Sequence, residues 1–529
     1  MLAVLNSVTY YPFGPVKTLT FGNGRTLTKT YDANYAIDSV ASSAADGLAL
    51  DFGVDMMGNI ADASATLGGA PLRRYVYDDL YRLTGANTAA GAPIEAYAYN
   101  KTGDRTSKNL GGALESYSYT PGTHRLSNVG GVARGSDANG NTTTGIAASA
   151  MTYDDTNRLS MSLALSGQPP KNTYYFYNGL GQRVRKFSDT SRNDAWYGEH
   201  GQRLSDIDYT RVCSTSGMEA EKAAKTLKDW PVEVCAGGGI VSTTPVRSMN
   251  YIYLDDMPIA VTEQAASASV PSLLYVETDH LGTPRTVVEP ATNAVKWRWD
   301  FFGNAFGEHA PTMPAGGVAL NMRYPGQFFD PESGLNHNYF RDYESRTGRY
   351  VESDPIGLLG GIDTYAYAMA APFQMIDPWG LAGCVVNFLG YPIAIPNTQT
   401  HIPLAHSGVL AYNQTTGRAR YYEYGRYNDD FGNVRRGSVP NLEIDSDGNV
   451  TDASWERLKS SLAKNQGKGI RPIMDCNDRA DDKKIIEFAE RRMKDKERAP
   501  YSWNPLWPNT CGTFATEALH NSVRPIWSW

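Results

Sequence analysis

A short unit built from a tyrosine, an acidic or amide residue and a turn recurs along the first part of the chain. Repetition of this kind restricts the fold more than any other feature of the sequence. The unit reads Tyr77-Asp78-Asp79-Leu80-Tyr81-Arg82-Leu83, Tyr99-Asn100-Lys101-Thr102-Gly103-Asp104-Arg105, Tyr153-Asp154-Asp155-Thr156-Asn157-Arg158-Leu159 and Tyr177-Asn178-Gly179-Leu180-Gly181-Gln182-Arg183. Its spacing wanders around roughly 20 residues, as in stacked β units. A strand such as Arg74-Tyr75-Val76-Tyr77 alternates faces, the Asp or Asn starts a turn, and the Arg-Leu pair begins the return strand. One hairpin cannot bury its apolar face alone, so stability has to come from stacking on neighbours. Up to about Tyr339 the chain is rich in Tyr, Gly, Thr and Asn with frequent turn signals, which predicts a mainly β, architectural region.

Departures from the pattern are few. Residues 86–92 and 130–148 read as loops, and Met218 to Lys228 is a helix-compatible insert between Cys213 and Cys235. The tracts YVETDHLGTPRTVVEP and WRWDFFGNAFGEH return to type, with His280 as a structural residue in the Asp279-His280-Leu281-Gly282 turn.

The repeat pattern ends at a pair of motifs, Asp354-Pro355-Ile356-Gly357-Leu358 and Asp377-Pro378-Trp379-Gly380-Leu381, and a different composition begins beyond them. Taken singly, each motif is a turn in which Asp accepts backbone N–H bonds, Pro fixes φ and Gly supplies a positive φ. The tract from Arg323 to Leu381, RYPGQFFDPESGLNHNYFRDYESRTGRYVESDPIGLLGGIDTYAYAMAAPFQMIDPWGL, resembles the RHS-repeat-associated core of bacterial polymorphic toxins, and the upstream units resemble YD repeats of that family. The resemblance implies a β shell over residues 1–310, present only in part, and an associated core over 311–381. It implies a variable toxin domain over 382–529, released by self-cleavage after Leu381 and before Ala382. It also implies that Asp354 and Asp377 act as an aspartic-protease-like pair, one carboxylate deprotonating water and the other polarising the carbonyl, since close carboxylates do not both ionise easily. A cognate immunity protein, delivery by a type VI spike with its PAAR tip through an N-terminal region beyond this chain, and a role in interbacterial competition follow from the same resemblance.

The bulk properties set limits on this picture. The chain has 529 residues and a formal net charge of −7 with both signs mixed, so charge alone does not point to a nucleic-acid partner. No window approaches the roughly 18 apolar residues of a membrane span, and no export signal is visible after Met1, which predicts secretion by a route without a signal peptide. The five cysteines, Cys213, Cys235, Cys384, Cys476 and Cys511, form no C-x-x-C pair, so neither a zinc site nor a disulfide framework is the natural reading, and no cofactor is expected. A bridge between Cys213 and Cys235 stays open.

Beyond Leu381 the pattern becomes that of one small α/β domain. Residues 404–412 predict a strand, 413–417 a turn and 418–425 a second strand, which sets His406 and Glu423 on adjacent strands of a hairpin. Helices are expected over 452–464 and 481–495. In Trp507-Pro508-Asn509-Thr510-Cys511-Gly512-Thr513-Phe514, Asn509 or Thr510 is a candidate N-cap. Cys511 then falls in a first helical turn, where free N–H groups and the helix dipole favour a thiolate. A Cys on a helix N-terminus, a His on a strand and a polar residue on the next strand make a papain-like arrangement. Its order here resembles the circularly permuted NlpC/P60 group, which implies Cys511 as nucleophile, His406 as base, Glu423 as orienter and the Cys511 N–H with Asn509 and Thr510 around the oxyanion. Tyr421, Tyr424 or His401 are alternative orienters. The expected activity is a cysteine amidase or peptidase acting on peptidoglycan. A lipid acyl hydrolase, acyltransferase or deamidase of the same fold, and a non-enzymatic interaction protein with a degenerate tail, are the alternatives. Delivery would bring the toxin to the periplasm or cytoplasm of the target cell.

Overall fold

The computed structural model describes residues 3–12, 15–33, 35–145, 148–164, 172–198, 201–214, 240–355, 362–377, 385–394, 401–412, 419–425, 433–443, 451–475, 490 and 493. Strands in the repeats pair with their neighbours in sequence. One 13-stranded sheet runs in chain order from Leu5–Tyr10 to Val132–Ala133, and an 11-stranded sheet runs from Ala148–Tyr153 to Val295–Arg298. The mainly β expectation holds.

The repeat unit acquires a physical explanation. Asp78 Oδ1 accepts the backbone N–H groups of Leu80 and Arg82, both at 3.0 Å, while its Oδ2 takes Arg82 Nε at 2.7 Å. Asp154 repeats this on Thr156 and Arg158, and Asp279 on Leu281, Thr283 and Arg285. Asn100 and Asn178 make the same two backbone bonds. The acidic or amide residue therefore satisfies the turn's own N–H groups. Three positions on, φ is positive: 105° at Gly103 and 84° at Gly282, but also 61° at Tyr81 and Asn157. At Gly103 space adds a second demand, because a Cβ there would lie 3.0 Å from Asp363 Cβ.

The tyrosine joins one unit to the last. Tyr99 Oη donates to Leu83 O at 3.0 Å and Tyr177 Oη to Leu159 O at 2.9 Å, while Arg82 stacks over the Tyr99 ring at 4.8 Å and Arg158 over Tyr177 at 4.6 Å. Faces alternate as expected, with Tyr75 buried between exposed Arg74 and Val76. The segment read as a loop from 86 begins inside a strand, Leu83–Asn87. Ala86 pairs with both Tyr75 and Glu95 and is buried, so a small residue fits where two neighbouring strands crowd it. Part of the 130–148 stretch is likewise paired, as the strand Val132–Ala133.

The apolar core draws on both large sheets, joining Phe21, Leu27, Leu50 and Tyr97 with Ala260, Tyr275, Phe301 and Phe306. A four-stranded sheet, Phe328–Asp330, Leu335–Asn338, Arg341–Glu344 and Arg349–Tyr350, follows them. The chain divides into two compact units. One contains the repeats and this sheet up to Gly380, and the other consists mainly of residues 381–529. In the second unit five strands run in the order Asn433–Gly437, Ala419–Gly425, His401–Tyr412, Val385–Ala394, Ile473–Asp475. The helix expected over 452–464 spans Asp452–Asn465, starts at the N-cap Thr451, and fully buries Leu458 and Leu462. Of the second expected helix, Glu490 and Met493 are described and are helical. The insert at 218–228 and the bridge between Cys213 and Cys235 fall on residues outside those described.

Asp154→Ala removes the bonds to Thr156 and Arg158 and is expected to cost about 1–2 kcal/mol, read as a lower urea midpoint. Burial tends to raise the Asp154 carboxyl, but its bonds to Thr156 and Arg158 outweigh this and hold it below the usual range. Its contribution is therefore present above the unfolded Asp value of about 3.9 and is lost as pH falls through the folded value, so the midpoint gap between Asp154→Ala and wild type should close in acid.

Candidate functional site

The four-stranded sheet positions the first candidate site. Tyr343 and Tyr350 face each other across adjacent strands and are fully buried with Tyr367, which fixes the strand carrying Arg341. Arg341 is buried over the Tyr350 ring at 3.7 Å. Its Nη2 lies 2.9 Å from Asp354 Oδ2 and 3.1 Å from Asp377 Oδ2, so the acidic residues of the two motif copies meet on one guanidinium nitrogen. Tyr350 Oη donates to Asp377 Oδ2 at 2.8 Å, and Asn338 Nδ2 to Asp377 O at 2.7 Å. The Asp354 N–H binds Thr364 O at 2.7 Å, and Arg341 Nη1 reaches the same carbonyl at 3.2 Å. Burial works against the Arg341 charge, yet Asp354, Tyr350 and Asp377 hold its pKa above the ordinary arginine value.

The pair predicted from the sequence is thus brought together, with a cation between its members that the sequence reading missed. That cation offsets the repulsion expected of a bare carboxylate pair. A second acidic pair, Asp342 and Glu352, lies beside it, with Arg183 Nη1 at 3.7 Å from Asp342 Oδ1. Glu352 is buried, and its Oε2 accepts the Asp342 N–H at 2.8 Å, while Oε1 has no hydrogen-bond partner among the described residues. Burial, and then the Asp342 charge, push the Glu352 carboxyl well above its ordinary value. His337 Nδ1 lies 3.4 Å from Asp342 Oδ1, and burial lowers the pKa of that ring. The sequence signal for these groups was a run of charged residues at positions that the strand pattern buries.

Asp104, His124 and Asp363 bring three metal-type donors within 4.8 Å of one another. Arg349 approaches the same Asp104 and Asp363 oxygens at 3.7 and 3.3 Å, so a guanidinium already supplies the positive charge there.

In the second unit Glu423 is fully buried and sits opposite Gly408 in the register. His406 lies two residues from Gly408 on the same strand, opposite Phe388, which makes its relation to Glu423 diagonal rather than direct. Glu423 Oε1 is engaged by Arg435, and Oε2 accepts from Tyr421 Oη at 3.2 Å. A Cβ on Gly408 would fall 2.2 Å from that same Tyr421 Oη, so the glycine makes room for the phenol. Cys511, Asn509 and Thr510, like Leu381 and Ala382 at the expected cut, lie outside the described residues.

Comparison with known proteins gives two kinds of likeness. Residues 372–526, which include His406, Glu423 and Cys511, match the family model described as "Type VI secretion system effector TseH-like". The chain is 26% identical over 389 residues to Double-stranded DNA deaminase toxin A of Burkholderia cenocepacia, covering 70% of this chain and 24% of that protein. It is 28% identical over 351 residues to Toxin protein Tse5 of Pseudomonas aeruginosa, covering 59% of this chain and 25% of that protein. It therefore spans about a quarter of the length of these curated relatives. Among solved structures, the TcdB2–TccC3 complex shares the fold over 72% of this chain and 20% of its own, with TM-score 0.56 and 15% identity. The chain is thus similar over most of its length to toxins of the Rhs and Tse type, and over residues 372–526 to type VI effectors of the TseH-like family.

Proposed function

We propose that this chain is part of an RHS-type interbacterial toxin, which cuts itself after Leu381 and releases a cysteine hydrolase. The observation that carries the self-cleavage reading is the meeting of Asp354 and Asp377 on Arg341, four residues before the expected cut. Water attacks the Leu381 carbonyl carbon, an aspartate of the pair accepts its proton, and the C–N bond to Ala382 breaks as the amine gains a proton, leaving a Leu381 carboxylate. Arg341 offsets the charge of the pair, and Glu352, whose buried carboxyl is pushed above its ordinary value, serves as the proton donor. In the tail, Cys511 serves as nucleophile, His406 as base, and Asn509 and Thr510 help set the oxyanion site; Glu423, tied to Arg435 and Tyr421, steadies the strand that carries it.

The likeness to TseH-like effectors supports delivery by a type VI apparatus and a neighbouring immunity protein. A peptidoglycan amide is the first substrate proposed for the tail, and a lipid ester or a glutamine side chain the second. Two relatives of the chain are named for a double-stranded DNA deaminase and a probable deoxyribonuclease, so a nucleic-acid target is an outcome that the test below must distinguish.

Intact mass of the purified chain should show a fragment ending at Leu381, and Asp354→Asn or Asp377→Asn should leave the chain whole; a wild type that stays whole rejects self-cleavage. Arg341→Met leaves two carboxylates without their cation and is expected to lower stability by about 3–5 kcal/mol, while adding Asp354→Asn recovers part of that loss in the denaturant midpoint. Expressed in the periplasm of a laboratory bacterium, the chain should arrest growth, and Cys511→Ala or His406→Ala should abolish the arrest. Arrest from the cytoplasm with loss of plasmid DNA, unchanged by Cys511→Ala, favours the nucleic-acid target instead.

A further inference from the structure

Asp377 belongs to a segment, residues 371–377, that is gripped from three distant parts of the chain. Phe373 is buried, with its ring 4.6 Å from Tyr75 and 5.0 Å from Phe301. The Phe373 carbonyl lies 2.8 Å from His280 Nε2, and the His280 ring packs edge-on against Phe52 at 4.9 Å. A carbonyl oxygen only accepts, so Nε2 carries the proton. Nδ1 is then the bare nitrogen of the neutral ring, in keeping with its burial and its lack of a hydrogen-bond partner among the described residues. The next residue, Gln374, donates from Nε2 to Tyr77 Oη at 2.8 Å. Tyr77 is a repeat tyrosine whose own hydroxyl already donates to Ile60 O.

Tyr75 and Tyr77 stand on the first large sheet, while His280 lies in the turn between Ser272–Thr278 and Pro284–Val288 of the second. The seat for Phe373 and Gln374 therefore exists only where these two sheets are already together. Ala371 O accepts the N–H groups of both Gln374 and Met375, a tight turn that limits how far Asp377 can wander from the seat. Core filling alone would need only the phenyl ring. Here the backbone carbonyl and the neighbouring amide are bound as well, immediately before an acidic residue of the cleavage cluster.

We infer that Phe373, Gln374 and His280 form a latch of positioning residues that brings Asp377 onto Arg341 once the two repeat sheets have joined, so that self-cleavage waits for assembly. This inference rests on the self-cleavage reading above. The test measures the rate of cleavage on refolding the full chain, by intact mass, for wild type, Phe373→Ala, Phe373→Leu, Gln374→Ala and Asp354→Asn. Phe373→Ala is expected to slow cleavage at least tenfold and Gln374→Ala severalfold, while Phe373→Leu recovers much of the wild-type rate. Residual cleavage should keep the wild-type pH profile, because the proton-transfer groups are untouched. The strand signal in circular dichroism reports whether each variant folds; if Phe373→Ala does not, the decision passes to Gln374→Ala, which leaves the core volume intact. A folded Phe373→Ala, or a Gln374→Ala, that cleaves at the wild-type rate overturns the latch alone. A wild type that fails to cleave, like Asp354→Asn, overturns the self-cleavage reading and the latch with it.

Discussion

A charge removed from water must find a counter-charge, and in this molecule that requirement ties the elements of the first unit together. Arg25, in the turn between Val16–Phe21 and Thr26–Tyr31 of the first large sheet, pairs with Glu277 of the second at 2.7 Å, with both side chains buried. Arg183 of the second sheet pairs with Asp330 of the four-stranded sheet at 2.6 Å, and Arg134 pairs with Glu344 at 2.8 Å. Such pairs add little net stability over well-packed apolar groups, but an element that docks in the wrong place strands a charge in the interior and is heavily penalised. Aromatic faces share the burden: Arg105 is enclosed by Tyr97 and Phe306 at 4.7 and 4.1 Å. The cluster at Arg341 follows the same rule, with one cation answering to two carboxylates, as Arg349 does between Asp104 and Asp363.

Much of the repeat region could be read directly, because its rule is local. An Asp or Asn that caps its own turn and a tyrosine on a strand of alternating faces are decided within a few residues, and the structure repeats them at Asp78, Asp154 and Asp279. The short strands at Ala86 and Val132 escaped notice because Gly, Ala and Asn carry turn signals even where neighbouring strands claim their backbone.

The site was legible only in part. Asp354 and Asp377 advertised themselves by standing in duplicate motifs, whereas Arg341 and Glu352 sit in a charged stretch that looks solvated until its strand is seen to be buried. Which strand positions of the hairpin stand opposite His406 and Glu423 depends on register, which two-residue slips leave undetermined in sequence. Glu423 meets Arg435, from a strand whose place beside it no short-range pattern announces.

The chain-order pairing of strands also has a consequence in time. Each strand of the two large sheets finds its partner in the segment made immediately before it, so the sheets grow by short loop closures. The contacts that join the sheets span most of the molecule, with Gln374 reaching back 297 residues to Tyr77. During synthesis from the N-terminus the two sheets can therefore be laid down progressively, and the residues that complete the join reach the ribosome exit only shortly before residues 381–529 do. A producing cell would then meet residues 381–529 only after the strands of both large sheets have been made.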